Sequence, residues 1–411
     1  MGIPSELYRN AIDLNRYSNQ VSRQIVVEYN NIIVQAVNDL KIIGGQSETY
    51  KAARLRSILA QLKESLDTWA ERNSILASKE LQGLAELQSD FVVEQLRKVL
   101  PKGAQSMVNT VEIGPTFARN VVNIDPTEIN VVVLEDDLFE AAYGSRQTFN
   151  LASAEGVPIT LPNGRTLRKS FRGIAENQSD MFGQLVRTGL LTGESTQSIA
   201  RRMIGRLDFD FVGTPAQIKA AGGELTAVAD HQILTLVRTS VNQVANKASM
   251  AVYESNQDVS SKYQWVATLD TRTSAICAAL DDRIFEYGKG PMPPQHFNCR
   301  STIVGIIDYD GLRAQGFDFD PPEDGERATK RDPKTGLAGQ VPADMSYGEW
   351  LYQQPKFVQE EVLGVGRTAY FDRLAKDDLV GQKGRNAIAK FVSKDGSEIT
   401  LEQLRARYGS P

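Results

Sequence analysis

The sequence predicts a predominantly helical α+β protein: a long N-terminal helical hairpin or bundle, a helical middle region, and a small α+β module with short strands. Three observations predict it. Apolar residues recur at helical spacing over most of residues 5–100 and again over 226–255. Turn formers and short β-branched or aromatic runs concentrate between Tyr263 and Ile307. The composition, with 41% hydrophobic and 24% charged residues in 411, is that of a soluble globular chain long enough for two or three domains.

The first helix rests on Leu7, Ala11, Leu14, Val21, Ile25, Ile32, Ala36 and Leu40, with Gly44 and Gly45 to end it and Ser47 to cap the next. The second runs to Pro101 through Leu55, Leu62, Leu66, Trp69, Leu84 and Leu96. Each helix has one apolar face, so the pair needs partners. Either it is a hairpin inside a bundle or it is an extended arm reaching another subunit. Together they form the segment 1–130, the N-terminal helical arm or bundle.

The helical middle region covers 131–255. It opens on a strand-like run at Val131–Leu134 and a helix from about Glu135 to Ser153. Asn163-Gly164 then suits a type I′ turn in a β-hairpin over 157–167. Residues 168–206 read as helix, turn, helix, with Ser195 or Thr196 as the second cap. From Arg165 to Arg206 there are eight Lys or Arg against three Asp or Glu. Arg201, Arg202 and Arg206 are therefore either a phosphate-facing patch or a solvated helix face. In the helix over 226–255, Arg238, Asn242 and Asn246 stand at i, i+4 and i+8, so they share a face and are expected to hold the adjoining module by hydrogen bonds. His231 stands alone.

That module, 256–310, holds the rare chemistry. Both cysteines and one of the two histidines lie within 23 residues, as Cys277, His296 and Cys299. Strands are expected at Tyr263–Thr268, Arg283–Tyr287 and Ser301–Ile307, with a short helix around Cys277. Thiolate and imidazole are the ligands zinc prefers, and His-x2-Cys is a short pair of the right kind. The window offers no fourth Cys or His, leaving Asp270, Asp281, Asp282, His231 or water to complete a site. The alternative is a metal-free network in which buried cysteines pack and His296, Asn298 and Arg300 pin the Pro-rich loop. A loop-rich linker, 311–345, and a C-terminal helical segment, 346–411, capped at Ser346, follow.

The net charge of −5 argues against a surface that wraps nucleic acid as a whole. Two cysteines exclude a disulfide scaffold and fit a reducing compartment. The opening MGIPSELYRN has neither a secretory pattern nor an acylation motif. No apolar run has the length of a membrane span. The motifs HExxH, GxxxxGK[ST], GxSxG and GxGxxG are missing, and two histidines give acid–base catalysis little to draw on.

Trp265, Leu269, Asp270, Arg272, Thr273, Ser274, Cys277, Leu280, Asp281 and Phe285, followed by Pro294, His296, Asn298, Cys299, Arg300 and Ser301, form a pattern that resembles the Mu F-like minor head proteins, a phage head-morphogenesis family. Gly193–Ala200, Arg238, Thr239 and Asn246 upstream, and Ser346 to Arg367 downstream, are similar to the same family, so the resemblance spans about residues 170–375. Residues 1–150 match nothing in it. The resemblance implies a virion protein of a tailed phage rather than an enzyme. Such a protein is present in several copies at the portal vertex and in the host cytoplasm during assembly. It implies the portal and other head or connector proteins as partners, double-stranded DNA bound without sequence preference, and roles in head assembly and in DNA packaging or ejection. Asp270, Arg272, Asn298, Arg300 and Arg238 are then the polar framework of the module. The related toxins carry an effector domain after this module, for which the stretch beyond 375 is too short. The competing reading is a zinc-dependent hydrolase of nucleic acid or peptide centred on Cys277, His296 and Cys299, with Asp270 as base.

Overall fold

In a computed structural model the described residues are 5–43, 48–114, 165–212, 214–317, 325–379, 382–393 and 398–411. The expected turn at 44–47, the strand at Val131–Leu134 and the helix at 135–153 lie outside them, as does most of the hairpin expected over 157–167. The last three residues of that hairpin are described, and they are not a strand: Thr166 caps a helix that starts at Leu167. The Thr166 hydroxyl accepts from the Lys169 amide at 3.1 Å, a local cap that outcompetes pairing at the hairpin's end.

Four long helices form the bundle: α1 (Ser5–Ile42), α2 (Glu48–Val99), α3 (Leu167–Leu191) and α6 (Glu224–Glu254). The shorter α4 (Thr196–Ile204) and α5 (Pro215–Ala221) precede α6, and Ser195 caps α4 as expected. Trp69 of α2 ties three of the long helices together. Its ring meets Tyr29 of α1 edge-on at 5.5 Å and Phe171 of α3 at 5.7 Å, and its indole NH donates to the Ile25 carbonyl. The described parts of the segments 1–130 and 131–255 thus share one apolar core, so the first two helices form a hairpin within a bundle.

Helix α6 is the bundle's axis. Every residue from Val241 to Met250 is buried, the polar ones included. A helix buried on all sides must find partners for each polar side chain it carries. Some are internal: the Ser249 hydroxyl donates to the Ala245 carbonyl and accepts from Gln88 of α2. Asn242 and Asn246 point at the module that follows.

The module is a three-stranded antiparallel sheet in the order β2-β1-β3: β1 (Ser260–Val266), β2 (Ile284–Glu286) and β3 (Thr302–Ile307), with α7 (Ala275–Leu280) between β1 and β2. In β1–β3 pairing Tyr263 faces Gly305 and Trp265 faces Ile303. One face of the sheet packs on the ends of α2 and α6 through Tyr263, Trp265, Val93, Leu96 and Tyr253. The other is covered by Leu7 and Tyr8 of α1 against Val266 and Val304. Gly305 is required where β3 crosses α6, because a Cβ there would come within 2.6 Å of the Tyr253 ring.

The remainder is α8 (Tyr309–Ala314), a two-stranded ladder β4 (Glu326–Thr329) and β5 (Gly339–Pro342), and helices α9 (Tyr347–Tyr352), α10 (Lys356–Leu363), α11 (Val365–Leu374) and α12 (Leu401–Tyr408). The loop-rich stretch 311–345 therefore carries a β-ladder. One of its residues is central to the core: Arg327 of β4 forks onto both oxygens of Asp281, with side-chain exposures of 4% and 0%. Arg327 also donates to the Met345 and Ala267 carbonyls, and Asp281 accepts from the Ala267 and Tyr347 amides. One buried pair thus joins the end of α7, the end of β1, β4 and the start of α9.

A buried ion pair is strongly destabilised when one partner is lost, because the other charge is left buried and unpaired. Arg327→Met is expected to cost about 3–5 kcal/mol in chemical denaturation. Adding Asp281→Asn, which removes the stranded charge, is expected to recover part of that loss. Additive single-mutant effects would show that the two groups do not interact.

Candidate functional site

The candidate site lies where three segments meet: the turn Leu269–Ser274 after β1, helix α7, and the loop Pro291–Ser301 before β3. Ser274 starts α7 with a side-chain cap to the Cys277 amide at 3.3 Å, which turns Cys277 inward. The loop's tight turn at His296–Cys299, closed by the Cys299 amide on the His296 carbonyl at 3.1 Å, brings both of its ligand residues to the same point.

Cys277 Sγ lies 3.6 Å from Cys299 Sγ and 3.3 Å from His296 Nε2. The Ser274 hydroxyl is 2.8 Å from the same nitrogen. The other ring nitrogen, Nδ1, is 2.8 Å from the Phe297 carbonyl. A carbonyl only accepts, so Nδ1 carries the hydrogen and, in the neutral ring, Nε2 presents its lone pair to Ser274 and Cys277. Both thiols are buried. The hydrogen bond with Cys299, against the effect of burial, draws the Cys277 thiol below the usual cysteine value, helped by Ser274, Ser301 and Arg300. Burial and the neighbouring Cys277 push Cys299 well above it.

Helix α6 holds the loop. The Asn298 amide donates to the Thr239 hydroxyl at 3.0 Å, its side-chain amide donates to the Thr235 hydroxyl at 2.9 Å, and its carbonyl oxygen accepts from Arg238 at 3.1 Å. Asn298 sits at φ 61°, a left-handed conformation that Asn tolerates better than most residues. Arg238 donates its other nitrogen to Asn19 of α1 at 3.1 Å. One turn along, Asn242 donates to the Ser301 carbonyl at 2.8 Å, and Asn246 accepts from the Ile303 amide at 3.1 Å. The stripe Arg238, Asn242, Asn246 therefore faces the module throughout.

Asp270 anchors the other side. Arg300 donates to its two oxygens at 2.5 and 2.8 Å, Lys330 approaches at 3.2 Å, and the Arg272 amide donates at 3.0 Å. The Arg272 side chain itself is exposed. Burial alone would raise the Asp270 carboxyl, but Arg300, with Lys330 and the Arg272 amide, overrides it and holds the group at about 2. Such a carboxylate is a weak base with its oxygens already engaged, so it does not suit the role of general base in a hydrolase. Nor does it stand free to complete a metal site. Next to Ser274, toward α9, α10 and α11, is a cavity of about 70 Å³ bordered by Ala278, Tyr347, Leu363 and Phe391.

The other singled-out residues lie away from this cluster. His231 is exposed on α6. Asp281 and Asp282 turn away from the cluster, toward Arg327 of β4 and Arg385 of the C-terminal segment, which pair with them. Arg201 and Arg206 are exposed at the end of α4, whereas Arg202 is bridged to Glu194 at 3.1 Å. Several contributors escaped the sequence reading. Thr235, one turn before Arg238 on α6, is one of them. Ser274 belongs to the family pattern, but nothing in the sequence pairs its hydroxyl with His296. Lys330 lies in a Pro/Gly-rich stretch whose pattern reads as surface loop.

The Asp270 pair gives acid sensitivity of known sign. Its folded value lies below the usual 3.8. The stabilisation is therefore complete above pH 4 and is lost as pH falls toward 2. Asp270→Asn is expected to lower stability by on the order of 2 kcal/mol at pH 7. In urea melts across this range, the gap between the two proteins should close near pH 2; a gap that does not change with pH would contradict the assignment.

No curated protein and no solved structure matches the chain. A family model described as phage Mu protein F like protein matches residues 180–304. That span begins within α3, includes α4 and all of α6, and ends in β3, so it takes in the cluster, the polar stripe and the three arginines. The similar stretch downstream, to Arg367, lies outside it. Over residues 180–304 the chain is therefore similar to the phage Mu protein F like family.

Proposed function

We propose that the protein is a minor head-morphogenesis protein of a tailed phage, present in several copies at the portal vertex and acting in head assembly and in DNA packaging or ejection. The observation that carries this reading is the family match over 180–304, which falls on the sheet module and the helix that pins it. A module held by buried ion pairs and side-chain hydrogen bonds suits docking, since a pre-ordered surface loses little conformational entropy on binding. No helix among the described residues is long and apolar enough to cross a membrane, which agrees with a virion or host-cytoplasm setting.

Contact with double-stranded DNA is local in this proposal, given the net charge of −5. Arg201 and Arg206 are the contact residues, being exposed together at the end of α4. Arg202, bridged to Glu194, supports that end.

Two measurements test this. Mixed with the portal protein of its own phage, the full chain is expected to co-elute as a complex; separate elution at micromolar concentrations would overturn the docking claim. DNA binding should be independent of sequence and weaken with salt. Arg201→Ala combined with Arg206→Ala should reduce the slope of log affinity against log salt by about 2. An unchanged slope would remove these residues from the interface.

A further inference from the structure

We propose that Cys277, His296 and Cys299 bind a zinc ion that staples helix α7 to the Pro-rich loop. Among the described residues these are the three His, Cys or acidic groups that converge as a possible metal site, their ligand atoms all within 4.8 Å of one another.

The distances fit the ion. Tetrahedral zinc, with bonds of about 2.3 Å to sulfur and about 2.0 Å to nitrogen, sets two sulfur ligands about 3.8 Å apart and a sulfur and a nitrogen about 3.5 Å apart. Here the sulfurs are 3.6 Å apart and Cys277 Sγ is 3.3 Å from Nε2. A shift of about 0.2 Å brings each of these two distances to the zinc value, and the third pair lies within 4.8 Å.

The surroundings fit as well. A metal-binding histidine usually donates its second nitrogen to a carbonyl or carboxylate, which fixes the ring and its tautomer. His296 does so, through Nδ1 to the Phe297 carbonyl, leaving Nε2 aimed at Cys277 Sγ. The charge balances too, since two thiolates and a neutral imidazole neutralise the ion in a buried place. The fourth ligand is an oxygen on the Ser274 side, because the Asp270 carboxylate is taken by Arg300 and Lys330. The cysteines come from α7 and the loop, so the ion would join two separate elements that also share an apolar core. The ion's role is thus structural and separate from the proposed head function.

The test uses the full-length chain, purified under reducing conditions from zinc-supplemented medium. Elemental analysis should find about one zinc per chain. Titrating the two thiols with a mercurial should release that zinc in step. Cobalt substitution should give the absorption of a tetrahedral site with thiolate charge transfer. Cys299→Ser and His296→Gln should weaken metal binding by more than about tenfold, with the helical circular dichroism of the bundle retained. If a variant fails to fold, the thiol titration and cobalt spectrum of the unaltered protein decide. A folded protein with two titratable thiols, no zinc and no thiolate–cobalt band would overturn the proposal. So would zinc that the variants keep.

Discussion

The structure depends on a helix that is buried while carrying polar residues. Helix α6 lies between α1, α2, α3 and the sheet; in its inward stripe Thr239, Asn242 and Asn246 are buried, while Thr235 and Arg238 are half-buried. An unmet buried polar group costs about 1–3 kcal/mol, so such a stripe is stable only against a matching surface. The backbone and side chains of Asn298, Ser301 and Ile303 are that surface. The helix therefore sets the position of the loop, and the loop sets the positions of His296, Cys299 and Arg300.

From there the order spreads by charge. Arg300 reaches back to Asp270, and Asp270 shapes the turn that leads into α7 and Cys277. At the other end of α7, Asp281 receives Arg327, which brings in β4 and α9. Two carboxylates, one at each end of a six-residue helix, are each gripped by a guanidinium fork. Because Arg forks match carboxylates in shape as well as charge, these pairs specify orientation and not merely contact. The product is a platform with few loose parts, backed by the bundle on one side and a smaller helical layer on the other. That character suits a protein that holds others in place.

Much of this was legible in the sequence. Helical periodicity located α1, α2, α3, α4 and α6, because long amphipathic segments average out local noise. The three short strands were readable because turn formers bracket them. The i, i+4, i+8 spacing of Arg238, Asn242 and Asn246 identified the face that meets the module. Other features were hidden for physical reasons. Arg327 sits in a stretch whose Pro, Gly and acidic composition reads as surface loop, and nothing local announces that its partner lies 46 residues away. The cover that Leu7 and Tyr8 place on the sheet is a long-range contact of the same kind. At Leu167, alternation suggested a strand, but the cap at Thr166 won. Arg202 looked equivalent to Arg201 and Arg206 until Glu194 across the turn distinguished it.

The central claim is that α6 imposes order on the loop before β3, so that loop and helix open together. Residue-resolved hydrogen exchange of the full chain tests this most directly. The account predicts that the amides of Asn298 and Ile303, which donate to Thr239 and Asn246, exchange as slowly as those in the middle of α6. Exchange of these two amides at the rate of an exposed loop, while α6 stays protected, would contradict it.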